Sequence, residues 1–196
     1  MKKIFLMIVL SLAFFAHAKK ITQFLNIPME SGKDVFREAL AEKGWTVTDA
    51  DDGPELNAGR LLEFYEAPLE RLVVTGKKYA GKTVKQMEIT FFNGKVYDIF
   101  INFGHNEPGE PSVDDIYKAL KKQYFIELLP SNYDEPDVLS NSSGDRVKRT
   151  LLTLKFDNRG REHRYEKACQ DLIREVRNAK RDAKAEAAKK VDLSDI

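Results

Sequence analysis

Four residues in the segment LVVTGKKYAGKTVKQ have the types and spacing of a phosphate-binding loop. Gly76, Gly81, Lys82 and Thr83 satisfy the pattern G-x-x-x-x-G-K-[ST], and an apolar run precedes them. In such a loop the backbone N–H groups hold the phosphates, and a helix that begins behind the lysine points its N-terminus at the anion. The pattern raises the hypothesis of a nucleotide-binding hydrolase, provided that a helix follows Thr83.

The residues after Thr83 favour a β-strand instead. Apolar and polar side chains alternate from Met87 to Phe91, which is the period of a strand with one buried face. A helix over the same residues would place Glu88 on its apolar side. The next predicted strand carries Asp98 in its interior, whereas a phosphate loop needs an acidic magnesium ligand at the end of that strand. We therefore expect a turn between strands and keep the phosphate loop as an alternative.

The segment TVKQMEITFFNGKVYDIFINF predicts a β-hairpin whose register depends on its turn. A two-residue turn, Asn93-Gly94, would pair Ile89 with Asp98, an apolar residue with a polar one. A three-residue loop, Phe92-Asn93-Gly94, pairs Ile89 with Tyr97 and gives one continuous apolar face. The glycine then takes the left-handed bulge position of such loops. We predict the three-residue loop.

Two stretches with possible metal ligands fail to match a ligand pattern. In the acidic stretch Asp49–Glu55, a calcium loop with Gly53 sixth would begin at Thr48 and have Gly59, not a glutamate, in the twelfth position. His105 has no second histidine at ligand spacing. The carboxylates near it are Glu107, Glu110, Asp114 and Asp115. We therefore predict no metal site and no cofactor.

The sequence contains no nucleophile elbow, no zinc-binding helix signature and no paired catalytic serine and lysine. His163 and Cys169 are six residues apart on a predicted helix, so their side chains point in well-separated directions. Cys169 instead belongs to an apolar stripe of that helix, which favours a packing role. The stripe also contains Tyr165, Leu172, Ile173 and Val176. We assign no catalytic residue and expect a protein that is not an enzyme.

The overall charge argues against a general polyanion-binding protein. The full chain has 32 Lys and Arg against 31 Asp and Glu. Without Lys2 and Lys3 the balance is 30 against 31, a net charge of −1, so nucleic acid is not an expected partner. Apolar residues make up 42% of the chain, enough for one core of modest size. Cys169 is the sole cysteine, so an internal disulfide is impossible and stability must come from packing.

Residues 1–18 have the three parts of a secretory signal peptide. Lys2 and Lys3 form a positive start, Ile4–Phe15 is uncharged, and Ala16-His17-Ala18 offers a cleavage site. The uncharged run is too short to span a bilayer comfortably, and two lysines follow the cleavage site at once. We expect an exported protein, periplasmic or secreted, that is cleaved near Ala18 and has no transmembrane segment in its mature chain.

Local patterns predict one α+β domain over residues 19–176: an antiparallel sheet with helices packed on one face, plus a long C-terminal helix. The first packed helix, Lys33–Lys43, has Ser31 as its cap, Val35 on its apolar face and Gly44 at its end. The second, Val113–Phe125, has Ser112 as its cap.

Alternation of apolar residues predicts the strands Leu61–Tyr65 and Arg71–Thr75, the two arms of the hairpin, and the TLLTLKF segment. The polar residues 129–146 are predicted to form a loop. Asn158–Gly160 is predicted to turn into the long helix from about Glu162, of which only the first half docks on the domain.

Several short motifs resemble those of small exported proteins of the Bacteroidetes bacteria, a group of uncharacterised function. Phe24–Pro28 (FLNIP) matches an F-x-x-I-P start, and Glu42–Gly44 a helix that ends in lysine and glycine. Gly76–Gly81 (GKKYAG) is similar to a G-x-[FY]-A-G element, and Leu120–Tyr124 to part of a final helix motif. The resemblance covers about half of the mature chain. It implies a strand-rich α+β fold with the Gly-Lys element in a turn, and it assigns no catalytic residue.

Two surfaces are candidate contact sites. From Arg174 to Lys190 there are seven basic and three acidic residues, and large apolar side chains end at Val176. We therefore expect residues 177–196 to form a basic helical extension that projects past the core into solvent; the alternative is contact with an anionic surface, either lipid headgroups or an acidic partner. Its candidate contact residues are Arg177, Lys180 and Arg181.

The second candidate surface is the sheet face opposite the predicted core, which carries Phe92 and Phe100 unless Glu162–Val176 covers them. The sequence thus predicts an exported, non-catalytic binding or interaction protein with an unknown protein or envelope partner. A structural, envelope-associated protein is the remaining alternative.

Overall fold

The structure is a computed structural model that describes residues 20–50, 67, 69–105, 107–124 and 137–189. The predicted signal peptide lies outside these residues. The same holds for the predicted strand Leu61–Tyr65 and for the larger part of the acidic stretch Asp49–Glu55.

The described chain forms 11 strands and three helices. In chain order these are β1 (Gln23–Phe24), β2 (Ile27–Pro28), α1 (Lys33–Glu42), β3 (Thr46–Asp49), β4 (Glu70–Thr75), β5 (Lys78–Tyr79), β6 (Lys82–Thr83), β7 (Gln86–Phe92), β8 (Lys95–Asn102), α2 (Val113–Tyr124), β9 (Val138–Ser140), β10 (Asp145–Arg149), β11 (Thr153–Asn158) and α3 (Arg159–Lys189). Seven strands make one antiparallel sheet in the order β3–β4–β7–β8–β11–β10–β9. The short ribbons β1–β2 and β5–β6 complete the strands, and the predicted α+β class is confirmed.

One face of the sheet carries the core. Its strands contribute alternating side chains that are almost fully buried: Leu72, Val74, Met87, Ile89, Phe91, Val96, Ile99, Ile101, Leu154 and Phe156. Helix α1 covers them with Phe36 and Leu40, and the Phe36 ring meets the Phe91 ring edge-on at 5.6 Å. Helix α2 and the N-terminal segment complete the cover with Val113, Ile116, Leu120, Ile21, Phe24, Ile27 and Met29. Each large apolar side chain buried here contributes about 1.5–3 kcal/mol to folding.

Helix α3 packs on the other face of the sheet by its first half. The Tyr165 ring lies 5.3 Å from the Phe92 ring and 5.0 Å from the Tyr97 ring. The apolar side of α3 is partly buried as far as Val176, and every side chain over residues 177–186 is exposed. In the described part of the chain, no helix combines the length and the apolar content that crossing a bilayer requires.

Helix α1 differs from the prediction in its N-terminal cap, whereas its C-terminal end agrees with it. The residue that caps its N-terminus is Gly32 rather than Ser31, and no side chain in the described part of the chain makes a capping hydrogen bond there. Val35 is 51% exposed, because the buried side of α1 is the stripe of Phe36 and Leu40. Gly44 ends the helix as predicted: its φ is +77°, and the N–H of Trp45 donates to the carbonyl of Leu40 at 3.0 Å.

The β7–β8 hairpin has a two-residue turn and a β-bulge. Asn93 and Gly94 have φ of +50° and +69°, both left-handed, as a type I′ turn requires. The register then shifts by one residue, so that Tyr97 is the extra residue of a bulge and Ile89 faces Ile99. The predicted three-residue loop and its pairing of Ile89 with Tyr97 are wrong. The bulge restores the continuous apolar face, which a two-residue turn without it would have lost.

Helix α2 confirms its predicted cap. Ser112 Oγ accepts the N–H of Asp115 at 3.1 Å, and the Asp115 carboxylate accepts the N–H of Ser112 at 3.0 Å. The predicted loop over 129–146 is wrong in its described part, which contains β9 and the start of β10, with Leu139 buried. The alternation there is too short to stand out among polar residues.

The start of α3 is also earlier than predicted. The helix begins at Arg159 without an intervening turn, because Asn158 caps it directly. Asn158 Oδ1 accepts the N–H groups of Gly160 and Arg161 at 3.0 and 3.3 Å.

Gly94→Ala is expected to lower the free energy of unfolding by about 1 kcal/mol, because a left-handed backbone is strained for a residue with a Cβ. No atom of the described residues lies within 4 Å of the position of the new Cβ, so the cost comes from the strained backbone. Asn93→Gly is the matched control in the same turn and should change stability by less than about 0.5 kcal/mol. Urea unfolding measures both. An equal cost for the two variants contradicts the type I′ turn.

Candidate functional site

The phosphate-loop residues form a connection between strands, as the alternation of the sequence predicts. Lys82 and Thr83 make up β6, and β7 follows at Gln86, so no helix begins behind the lysine. The Lys82 side chain is fully buried, with its ammonium 5.9 Å from the centre of the Phe103 ring. The segment therefore lacks the helix N-terminus that a nucleotide phosphate requires.

The donors of Thr83 already bind a carboxylate of the chain itself. The Thr83 N–H donates to Glu110 Oε2 at 3.0 Å, and the hydroxyl donates to Oε1 at 2.7 Å. Lys78 Nζ lies 2.7 Å from the same Oε1. The hydrogen bonds from Lys78 and then from Thr83 lower the pKa of Glu110 to about 2. An anion brought to Thr83 would first have to displace Glu110.

Three of the four carboxylates near His105 are used in other contacts, and Glu107 is exposed. Glu110 is bound as above, Asp114 pairs with Lys118 at 2.5 Å, and Asp115 belongs to the α2 cap. His105 itself is exposed. Across the described residues, no three or more His, Cys, Asp or Glu side chains come together as a metal-binding cluster.

Cys169 and His163 lie on different sides of α3. The Cys169 side chain is half-buried, and its Sγ accepts the N–H of Ala67 at 3.3 Å. The Tyr165 hydroxyl donates to the Ala67 carbonyl at the same distance, whereas His163 is exposed. Cys169 therefore helps to hold the chain at Ala67 against α3.

Both aromatic contact candidates are half-buried. The Phe92 ring meets the Tyr165 ring edge-on at 5.3 Å, and Phe92 also borders a cleft. Phe100 is half-buried in the middle of the sheet, where its backbone pairs with Glu88 on β7 and Lys155 on β11. The charged side chains on both sides of Phe100 make its surroundings polar.

The basic contact candidates lie on the exposed half of α3. Arg177, Lys180 and Arg181 are all exposed. Arg181 has Asp182 as a neighbour, with 3.7 Å between Nε and Oδ1.

A cleft of about 940 Å³ lies where the N-terminal segment, the β7–β8 turn and the start of α3 meet. Its lining includes Met29 and Val96 as apolar surfaces and the ring of Tyr97. The bulge is what turns the Tyr97 ring towards this side of the sheet, and burial raises the pKa of the Tyr97 hydroxyl to about 12. The volume matches that of small-molecule sites in proteins, and none of the sequence candidates except Phe92 lines it.

A buried carboxylate joins the walls of the cleft. Asp145 is 1% exposed and accepts hydrogen bonds from three parts of the chain. The donors are the Ile21 N–H at 2.9 Å, Asn158 Nδ2 at 2.8 Å and Asn141 Nδ2 at 3.4 Å. Because Asn158 also caps α3, one network sets the positions of the N-terminal segment, the β9–β10 turn and the helix.

Four cations on the cleft wall, namely Lys20, Arg161, Arg164 and Lys167, make no ion pair with any described residue. Arg161 is the most enclosed of them, and its Nη1 donates to the carbonyl of Val96 at 2.9 Å. Burial lowers the pKa of the Arg161 guanidinium, and the charges of Asp145 and Glu30 oppose that effect.

The three carboxylates of the cleft wall are all engaged. Glu30 pairs with Lys95 at 2.8 Å, and that hydrogen bond lowers the pKa of Glu30. Asp171 pairs with Arg174 at 3.2 Å, and Asp145 holds its three donors. The wall therefore presents unneutralised positive charge, which attracts an anion.

Sequence reasoning missed this cleft because its residues are far apart in the chain. Lys20, Lys95 and Arg161 come from three separate elements that only the folded structure brings together. The local signal was the spacing of Arg161, Arg164 and Lys167, three residues apart on one helix. That spacing alone is equally typical of a solvated helix surface.

Replacing Glu110 with Gln should remove part of the acid dependence of stability. The pKa of Glu110 is about 2 in the folded protein and about 4.5 ordinarily, so its stabilisation is complete above pH 4.5 and is lost as pH falls through 2. The melting temperature of the parent protein should therefore exceed that of Glu110→Gln most above pH 4.5, with the difference shrinking towards pH 2. Calorimetry across this range measures it. A difference that does not vary with pH contradicts the contacts of Glu110.

Asp145→Ala should destabilise the fold by at least about 2 kcal/mol, because it leaves several buried donors without an acceptor. Asp171→Ala is the control on the same cleft wall. It removes only an exposed ion pair and should cost less than about 0.5 kcal/mol. Urea unfolding of both variants measures the difference, and similar costs would mean that Asp145 does not join the walls.

No protein-family model matches this chain, and no solved structure matches it. The binding chemistry of the chain has to be inferred from its own residues.

Proposed function

We propose that this chain is an exported, non-catalytic binding protein whose cleft takes an anionic group of its ligand. One observation supports this proposal above the others. The cleft wall has four cations without an acidic partner among the described residues, whereas each of its three carboxylates is already paired or hydrogen-bonded.

Arg161 is the residue best suited to receive the anionic group. The contact from its Nη1 to the Val96 carbonyl restrains the side chain, so less conformational entropy is lost on binding. Partial burial weakens the screening of its charge by water. A planar guanidinium also matches the two oxygens of a carboxylate or phosphate. Arg164 and Lys167 follow on the same helix and add attraction for further negative charge.

Two features support binding rather than catalysis. The described residues that line the cleft include neither histidine nor cysteine, and its buried carboxylate, Asp145, is occupied by three donors. A general base needs an accessible lone pair near the substrate, which a carboxylate so occupied does not offer.

The near-neutral charge of the whole chain agrees with a local anion site. With 32 basic and 31 acidic residues, attraction for anions cannot come from a general positive field. It has to come from places where the two signs are separated, and the cleft is such a place.

Citrate and inorganic phosphate serve as probes of the cleft in calorimetric titrations at low ionic strength. We expect citrate to bind, and Arg161→Gln/Arg164→Gln to weaken it at least tenfold, because charge-assisted hydrogen bonds contribute about 1.5–3 kcal/mol each. Lys121→Gln/Lys122→Gln is the matched control, since it removes two exposed charges from α2, away from the cleft.

The control variant should bind citrate like the parent protein. Equal weakening in both variants would show that only net charge matters and would overturn the cleft assignment. Absence of citrate and phosphate binding to the parent protein would overturn the anion site itself.

A further inference from the structure

Five of the basic side chains of α3 form a row that begins at the edge of the cleft and continues along the helix. Lys167, Arg174, Arg177, Arg181 and Lys184 follow one another at spacings of 7, 3, 4 and 3 residues, which places them on one side of a helix. We call these five residues the basic row. Lys167 belongs to both the cleft wall and the basic row, so the two surfaces meet at this residue.

The other sides of α3 have different chemistry. Its packed side has residues at spacings of 4, 3 and 4, namely Tyr165, Cys169, Leu172 and Val176, all partly buried. The acidic residues Asp171, Glu175, Asp182 and Glu186 are spaced 4, 7 and 4 apart and occupy a third strip. Over residues 171–186 the charges of this helix are thus separated into strips of opposite sign, whereas Arg164 lies at the position of the acidic strip and Glu166 at that of the basic row.

The basic row is open to solvent along its whole length. All five side chains are exposed; for example, the Arg174 and Arg181 side chains are 72% and 77% exposed. Two of the five have an acidic neighbour on the helix, Asp171 and Asp182, in contacts of 3.2 and 3.7 Å. Exposed pairs of this kind contribute little and exchange readily for other partners.

We propose that the cleft and the basic row together bind one extended acidic segment of a partner protein. This inference rests on the proposed function, because the segment places one carboxylate at Arg161 and its following carboxylates along α3. From Lys167 to Lys184 the row is about 25 Å long, so its five charges lie about 6 Å apart on average. Side chains on one side of an extended peptide repeat at about 6.7 Å, which matches this interval.

The composition of the row favours a peptide over a lipid surface. A helix that lies on a membrane needs large apolar side chains beside its cations. Beyond Val176, the described exposed side chains of α3 are charged, Asn or Ala. The contacts offered by the helix end are therefore electrostatic, which suits a segment rich in Glu or Asp and gives a strong dependence on salt.

The test compares fluorescently labelled oligo-glutamates of two lengths by anisotropy at low and high salt. Tri-glutamate fills the cleft alone, whereas about 12 residues reach from the cleft to Lys184 at ~3.3 Å per residue. We expect the longer peptide to bind the parent protein at least tenfold more tightly. The row variant, Arg177→Gln/Arg181→Gln/Lys184→Gln, should lose about tenfold of that affinity, since each exposed ion pair contributes a few-fold. Its affinity for tri-glutamate should be unchanged.

The matched control, Lys121→Gln/Lys122→Gln/Lys148→Gln, removes three exposed charges elsewhere and should bind both peptides like the parent protein. Equal loss in the row and control variants, or no effect of peptide length, overturns the extended segment. If either outcome is observed, the proposed function still holds as long as Arg161→Gln/Arg164→Gln loses its binding of tri-glutamate. Polygalacturonate or anionic vesicles that bind as tightly as the long peptide, with the same loss in the row variant, overturn the choice of a peptide partner.

Discussion

The buried carboxylate of Asp145 is the constraint on which the cleft depends. A charge at 1% exposure is costly unless donors satisfy it, and here the donors come from the N-terminal segment, the β9–β10 turn and the residue that caps α3. The three elements can satisfy the carboxylate only when they are side by side. Folding the sheet therefore also fixes the distance between Lys20, at one wall of the cleft, and Arg161, at the other.

The bulge at Tyr97 sets the position of α3 on the sheet. Without an extra residue, the two-residue turn would place an apolar strand position opposite a polar one along the hairpin. The shift returns Ile99 and Ile101 to the core and sends Tyr97 to the opposite face, where its ring meets Tyr165. One local irregularity thus both completes the core and provides the aromatic surface on which the first half of α3 packs.

The sequence predicted those features correctly that depend on interactions between residues close together in the chain. The Ser112 cap, the left-handed end of α1 at Gly44 and the strand behind Thr83 all depend on residues within one or two turns of chain. The bulge was not predictable in this way, because its benefit lies in the pairing of β8 with two other strands.

The candidate site was less predictable than the fold. Its walls depend on contacts such as Ile21 to Asp145, which are 124 residues apart in the chain. The basic residues of α3 were visible in the sequence, but whether they face a cleft, a neighbour or water depends on how the helix docks. Of the aromatic candidates, Phe92 is half-buried, because Tyr165 of α3 packs against its ring, and it still lines the cleft.

Two places in this chain have the donors to hold an anion, and they differ in what already occupies them. At Thr83 the backbone N–H and the hydroxyl bind the carboxylate of Glu110, whose pKa of about 2 keeps it ionised at any ordinary pH. That position is closed by a charge of the chain itself. At Arg161 the guanidinium bonds, among the described residues, only to the Val96 carbonyl, a neutral acceptor, and the nearby carboxylates have other donors. The sequence motif at Thr83 therefore has its donors occupied by Glu110. Arg161, which belongs to no motif, keeps a positive charge that no described carboxylate neutralises. Because the whole chain is nearly neutral, it is this separation of paired from unpaired charge, rather than composition, that points to where an anionic ligand binds.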